Sequence, residues 1–430
     1  MISLTNIIFL LLVGIFIVEQ IIMKHVVLLL STLFFFSSGN CAFSKDSNPL
    51  LKQNQTYNFA KNDWFEKIKV SGLIMGEVIS SNHDAGSPRR FPDGGNKNYS
   101  TFCFPRASLY IDAKISELTN AHLALNFAPA KMSSSCSACG FGRKNDELRF
   151  SKYDKIDESY VTFSNANESP YYARAGIQYM PYGYYARNTI PANLPQLMTQ
   201  TQAAGVTGGY IDEERGLNLA IFSFSGKNKR GGSTKIDNIG AQIGYIKETE
   251  TTSSIVTAGW MNNIVSSVNY IVSANPTCCG QEQNPLNKGY RKRVPGVVLT
   301  MRHKELSWDA TLQLTSALSK FNSSDVAWKS KGARPSAGLL DIGYIFEAFG
   351  NRKNRIGASY QLSTQGVNIR GNGLGAGLPK TRVQCDYTIE IESQVEFGAH
   401  IFWDKDYSKS VGGTDKSGAT LLLTMSVKLG

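Results

Sequence analysis

The chain has 430 residues, with 45 Lys plus Arg against 34 Asp plus Glu, a net charge of +11 and 18% charged residues. It carries 39 Gly, 19 Tyr and 22 Phe and no long helical pattern beyond its N-terminal region, which argues against several soluble helical domains and for one large β-rich domain. The positive balance favours polyanionic partners, but no basic helix, zinc-finger spacing or aromatic RNA-binding signature is present, which speaks against nucleic acid.

Two apolar runs open the chain, at residues 7–18 and 26–36. No Lys or Arg precedes the first run, whereas Met23-Lys24-His25, the run Val26–Phe36 and Ser37-Ser38-Gly39 form the three parts of an export signal. Translation is therefore expected to start at Met23, with residues 1–22 an upstream extension, 23–42 a signal peptide, and 43–66 a flexible periplasmic lead-in. A membrane anchor in residues 1–22 is the rival, but the run is short for a span. The remainder, 67–430, is expected to form an outer-membrane β-barrel.

That expectation rests on alternation, since successive side chains of a strand leave opposite faces. Candidate strands fall at 67–79, 104–116, 120–130, 154–165, 170–182, 203–212, 215–226 and 237–248. Others follow at 253–266, 295–304, 306–319, 336–348, 355–366, 382–391, 394–403 and 417–429, making about sixteen. Leu109, Ile111, Ala113 and Ile115 oppose Ser108, Tyr110, Asp112 and Lys114. Ile156, Glu158, Tyr160 and Thr162 share a face against Asp157, Ser159, Val161 and Phe163, and the next strand sets Ala173, Ala175 and Ile177 against Arg174, Gly176 and Gln178. Connections alternate between short and long, as in outer-membrane barrels with short periplasmic turns and long external loops. Trp308 begins one strand and Trp403 ends another, at interface positions.

Several stretches carry a family likeness: Val70-Ser71-Gly72-Leu73-Ile74, AHLALNFAP at 121–129, DESYVTF at 157–163, RAGIQYMPYG at 174–183, QTQAA at 200–204, and DKDY at 404–407 with Gly412-Gly413-Thr414. From about residue 65 to its C-terminus the chain resembles the LbtU-type siderophore porins of the bacterial outer membrane. The resemblance implies a sixteen-stranded barrel that passes iron–siderophore complexes into the periplasm without a plug domain. Two departures stand out. Outer-membrane barrels usually end in an aromatic residue read by the barrel-assembly machinery, whereas this chain ends in Gly430, and its cysteine content is unexpected for such a porin.

Of the cysteines beyond the signal, Cys103, Cys136, Cys139, Cys278 and Cys279 fall in predicted external loops and Cys385 just below one. Export makes loop-stapling disulfides the expectation, with the pairing open. The predicted long loops hold more net positive charge than the whole chain, in Arg89-Arg90, Arg143-Lys144, Lys229-Arg230 and Arg291-Lys292-Arg293. This basic mouth suits either an anionic solute or lipopolysaccharide phosphates. Alternation points Arg106, Lys114, Glu158, Arg174, Gln178, Arg302, Asp341 and Arg382 into the lumen, a mixed wall able to orient a solute. Residues 183–202 read either as a loop folding inward to constrict the pore or as an external flap.

Scattered His, no nucleophile elbow and no phosphate-cradling loop argue against an enzyme, and neither cofactor nor protein-bound metal is expected. The sequence thus predicts an outer-membrane porin for ferric siderophores, of anionic polycarboxylate type. Its rivals are a general diffusion porin and an adhesin or structural barrel with polyanion-binding loops. Oligomeric state is not legible.

Overall fold

Along one strand of the chain Arg382, Gln384 and Asp386 are buried while Val383 and Cys385 between them are exposed. The same inversion recurs throughout: buried positions include Thr162, Gln178, Gln242, Thr300, Gln313, Asp341 and Gln361, and exposed ones include Ile243, Val256, Leu314, Ile342, Ile356, Leu421 and Leu423. A polar inside and an apolar outside reverse the pattern of a water-soluble sandwich and suit a sheet with lipid against its outer face.

The computed structural model describes residues 68–83, 99–127, 156–165, 169–185, 193–225, 236, 238–266, 271–272, 292–323, 325–367, 369–370, 378–413 and 415–429. The chain divides into two units, Met1–Lys45 and Asp46–Gly430, and the described residues all belong to the second. The expected signal peptide and lead-in fall outside them.

Sixteen antiparallel strands form one closed barrel. They are β1 (Ile68–His83), β2 (Tyr99–Lys114), β3 (Thr119–Phe127), β4 (Ile156–Ser164), β5 (Tyr171–Tyr179), β6 (Gln202–Asp212), β7 (Leu217–Phe224) and β8 (Asn238–Glu248). The second half comprises β9 (Ser253–Met261), β10 (Gly296–Lys304), β11 (Trp308–Ala317), β12 (Ser336–Ala348), β13 (Arg352–Thr364), β14 (Thr381–Glu392), β15 (Val395–Lys405) and β16 (Ser417–Leu429). Each strand pairs with its sequence neighbour, and β1 closes on β16 from Gly72↔Leu429 to His83↔Gly418. Closure satisfies every strand edge, which a sheet in hydrocarbon requires. Connections alternate in length, so one rim carries short turns and the other long loops.

Three expectations need correction. Cys103 lies within β2, paired in register with Glu77, because this strand starts at Tyr99. Ile156 faces outward rather than sharing the face of Glu158: the register slips between Ala124 and Leu125, so Ile156 pairs with Leu125 around a bulge. Cys385 sits five residues into β14 on the outer face and is a free thiol, not a loop staple. Cys136, Cys139, Cys278 and Cys279 lie outside the described residues.

Long-loop segments add short pairings of their own. Ile271–Val272 bonds Ile369–Arg370, and Ala327–Trp328 folds back on Lys331–Gly332. Tyr407, between β15 and β16, is buried there; burial raises its phenol, whose oxygen shares a 2.6 Å hydrogen bond with Ser363 and accepts one from the Gly366 N–H.

Candidate functional site: an inserted segment and three charged walls

Between β5 and β6 the chain turns into the barrel. Asn193 caps a single-turn helix, α1 (Leu194–Thr199), its side chain accepting the Gln196 N–H at 2.8 Å, with Pro195 where no backbone donor is needed. Leu194 and Met198 are fully buried against Met261, Ile264, Val298, Ala317, Ala337 and Leu378. Polar wall side chains then hold the backbone. The Gly183 N–H donates to Gln242 at 2.9 Å, and the Leu194 N–H donates to Gln361 at 2.9 Å. The Tyr184 carbonyl accepts from both Thr300 at 2.9 Å and Gln313 at 3.0 Å. Burying a backbone segment demands such partners. The bonds come from β8, β10, β11 and β13, so these strands present their polar faces to the interior. Residues 183–185 and 193–201 thus form the inward-folding arm of the two readings and not the flap.

A second cluster lies on the interior wall near the short-turn rim. The Arg355 guanidinium donates from Nε and Nη2 to both oxygens of Asp309 at 2.9 and 2.8 Å, from Nη2 to Asp341 at 2.7 Å, and from Nη1 to Asp386. One cation thereby meets three buried carboxylates. The ladder explains how it fits: Asp309, Gly343, Gly357, Asp386 and His400 follow one another in register across β11 to β15. The two glycines leave a bare floor on which the guanidinium lies flat. A Cβ on Gly357 would come within 2.2 Å of Arg355 Nη1, and one on Gly343 within 2.4 Å of its Nε. Gly357→Ala should therefore destabilise the barrel by about 1–3 kcal/mol, the usual cost of overpacking, in a urea unfolding titration from lipid vesicles. An unchanged midpoint would mean that Arg355 has room to move.

Near the long-loop rim Arg382 pairs with both oxygens of Asp404, at 2.7 and 2.8 Å, with its Cζ 4.8 Å from the Phe402 ring centroid. On β2 to β5, Asp112 Oδ1 is 2.6 Å from His122 Nδ1, His122 stacks on Tyr160 at 4.9 Å, and Arg174 covers the Tyr160 ring at 4.4 Å.

The sequence-derived positions are distributed as follows. Glu158, Gln178, Asp341 and Arg382 are buried on the interior side, and Arg174 and Arg302 partly so. Arg302 donates to the Tyr184 hydroxyl at 3.4 Å, and Gln178 to the Gly205 carbonyl at 3.3 Å. Lys114 meets Glu117 at 2.9 Å at the short-turn rim. Arg106 pairs with Met75 in the backbone ladder, its side chain lying outside the described residues. Of the basic mouth only Lys292 and Arg293 are described, both exposed; Arg89, Arg90, Arg143, Lys144, Lys229, Arg230 and Arg291 lie outside. Asp341, Asp309 and Asp386 converge on Arg355, which the sequence reading missed. Among the described residues no group of three or more His, Cys, Asp or Glu is arranged to hold a metal.

No family model matches the chain. It is 25% identical over 353 residues to a UPF0422 protein of Coxiella burnetii, covering 81% of this chain and 66% of that protein. It is 25% identical over 263 residues to a UPF0422 protein of Legionella pneumophila strain Lens, covering 59% of this chain and 46% of the relative. The chain therefore spans less than two thirds of the length of these curated relatives. Among solved structures it is similar to an anion-selective porin from Comamonas acidovorans, with a TM-score of 0.52 and 11% identity over 84% of this chain and 99% of that one. The outer membrane channel DcaP of Acinetobacter baumannii gives the same TM-score and identity, covering 84% and 97%. These likenesses show the fold: a closed, porin-like barrel of sixteen antiparallel strands.

Proposed function

We propose that this barrel lies in the bacterial outer membrane and passes ferric siderophores of the anionic polycarboxylate type into the periplasm. The observation that carries the porin reading is the inserted segment, a buried polypeptide arm bonded to the polar inner wall of a closed barrel whose outer face is apolar. A polar, charged interior with an inserted segment supplies the groups that a solute path uses to orient what passes through it. The siderophore assignment draws on the family resemblance and on the basic loops, whose field would concentrate an anion at the entrance. Residues 23–42 serve as the export signal in this reading, and the barrel-assembly machinery and lipopolysaccharide are its partners. Arg174 and Arg302 contribute to the wall that the solute meets, with Glu158, Gln178, Asp341 and Arg382 buried behind that surface.

A general diffusion porin is the second reading, favoured by the fold likeness to an anion-selective porin. Uptake into proteoliposomes separates the two. A ferric polycarboxylate siderophore is expected to enter faster than a neutral sugar of similar size, with the preference shrinking at high salt as screening shortens the reach of the basic mouth. Equal entry of both solutes would leave a general porin.

A further inference from the structure

Arg355 and Arg382 are held by carboxylates, but Arg174 is not. Its Nε donates to Thr162 Oγ1 at 3.3 Å, and its Cζ lies 4.4 Å from the Tyr160 ring centroid. Among the described residues Nη1 and Nη2 make no hydrogen bond, and the side chain is only partly buried. The platform beneath it is fixed. Tyr160 is 6% exposed and lies between Arg174 on β5 and His122 on β3, whose ring stacks on it at 4.9 Å. His122 is held in turn by Asp112 at 2.6 Å and flanked by Tyr110 at 6.4 Å. Opposite Tyr160 in the ladder stands Gly176, with φ +137°, where a Cβ would come within 2.6 Å of Tyr160 Cα. Glu158 sits on the same side of β4 and feels the Arg174 charge, but its carboxylate accepts the Tyr179 backbone N–H and, among the described residues, makes no hydrogen bond to Arg174.

A guanidinium stacked on an aromatic face keeps its plane but leaves its N–H edge forward. That edge matches the two oxygens of a carboxylate, and stacking removes in advance the side-chain freedom that binding would otherwise cost. We propose that Arg174 is a carboxylate-recognition residue of the lumen, with Tyr160 as its platform and Asp112 and His122 as positioning residues. The solute is an anionic polycarboxylate. The proposal deepens the porin reading and rests on it for transport, although binding itself needs no flow.

The test uses citrate as a tricarboxylate probe, titrated calorimetrically into the purified full-length barrel, alongside ionic current in planar bilayers. Heat-modifiable migration checks folding of each variant. The barrel and an Arg215→Gln control, at an exposed turn, are expected to bind citrate alike. Arg174→Gln and Arg174→Lys should both weaken binding by about tenfold or more, because lysine keeps the charge but loses the fork. Tyr160→Leu should weaken it less. Wild-type affinity in Arg174→Lys, unchanged affinity in Arg174→Gln, or no citrate binding by the unmutated barrel would each overturn the proposal. Binding lost on substituting Arg174 without ionic current in any variant would support the site and overturn the porin reading.

Discussion

Replacing Arg355 with methionine is expected to destabilise the barrel by about 3–5 kcal/mol, the cost of leaving buried charges without their partner. Asp309, Asp341 and Asp386 are each at most 3% exposed, and all three direct an oxygen at the same guanidinium. Methionine fills the volume but supplies no donor, so the loss is electrostatic and not a cavity effect. Arg355→Lys should be nearly as severe, since one ammonium cannot reproduce a fork bonded to both Asp309 oxygens and two further carboxylates. The decisive variant combines Arg355→Met with asparagine at all three aspartates. Removing all four charges together should recover most of the stability, because the penalty belongs to uncompensated charge. Equilibrium urea unfolding in lipid vesicles measures each step. A single Arg355→Met variant within about 1 kcal/mol of the original barrel would show that the cluster carries little net stabilisation.

The second large effect concerns permeation. Leu194→Asp with Met198→Asp places two carboxylates in the apolar cluster that seats α1, where both side chains are fully buried. Burying unpaired charge costs far more than the roughly 1.5–3 kcal/mol each apolar side chain gains there, so the arm should leave its seat. Single-channel conductance is then expected to rise by about twofold or more, since the arm no longer narrows the path. Gln361→Ala, which removes one of the wall bonds to the arm, should move conductance in the same direction by less. Unchanged conductance in a folded double variant would place the constriction elsewhere.

The barrel was legible in the sequence because period-two alternation survives even when the faces are inverted. β12 and β16 have the bounds the alternation gives, Ser336–Ala348 and Ser417–Leu429. Failures cluster where local geometry departs from the ideal strand. The bulge that turns Ile156 outward has no signature in residue type, because a one-residue slip leaves the hydrophobic pattern of the rest of β4 intact. Arg355 was missed for a related reason: taking the strand to begin at residue 355 leaves it at a turn, whereas β13 starts at Arg352 and carries it to the interior. The convergence of three aspartates from β11, β12 and β14 is a property of register, which a single chain read in order does not display. Gly343 and Gly357 were the available signal, since two interior glycines facing each other announce a large neighbour lying across them. The six-residue helix was too short to show a period, and only Asn193 and Pro195 marked its start.

The arm's placement has a consequence for how such a protein can change over time. Its wall bonds fall on β8 through β13 and its apolar seat reaches from β6 onward, while the stacked guanidinium and its platform belong to β2 through β5. One arc of the cylinder is committed to holding the arm, and the facing arc is free of that duty. Substitutions on the committed arc would be paid for in folding yield and purged, whereas the free arc can drift toward a new solute without risking assembly. A library randomised at lumen positions of β2 to β5 should accordingly return mostly folded barrels with altered preferences, and the same library built on β11 to β13 should return mostly unfolded chains.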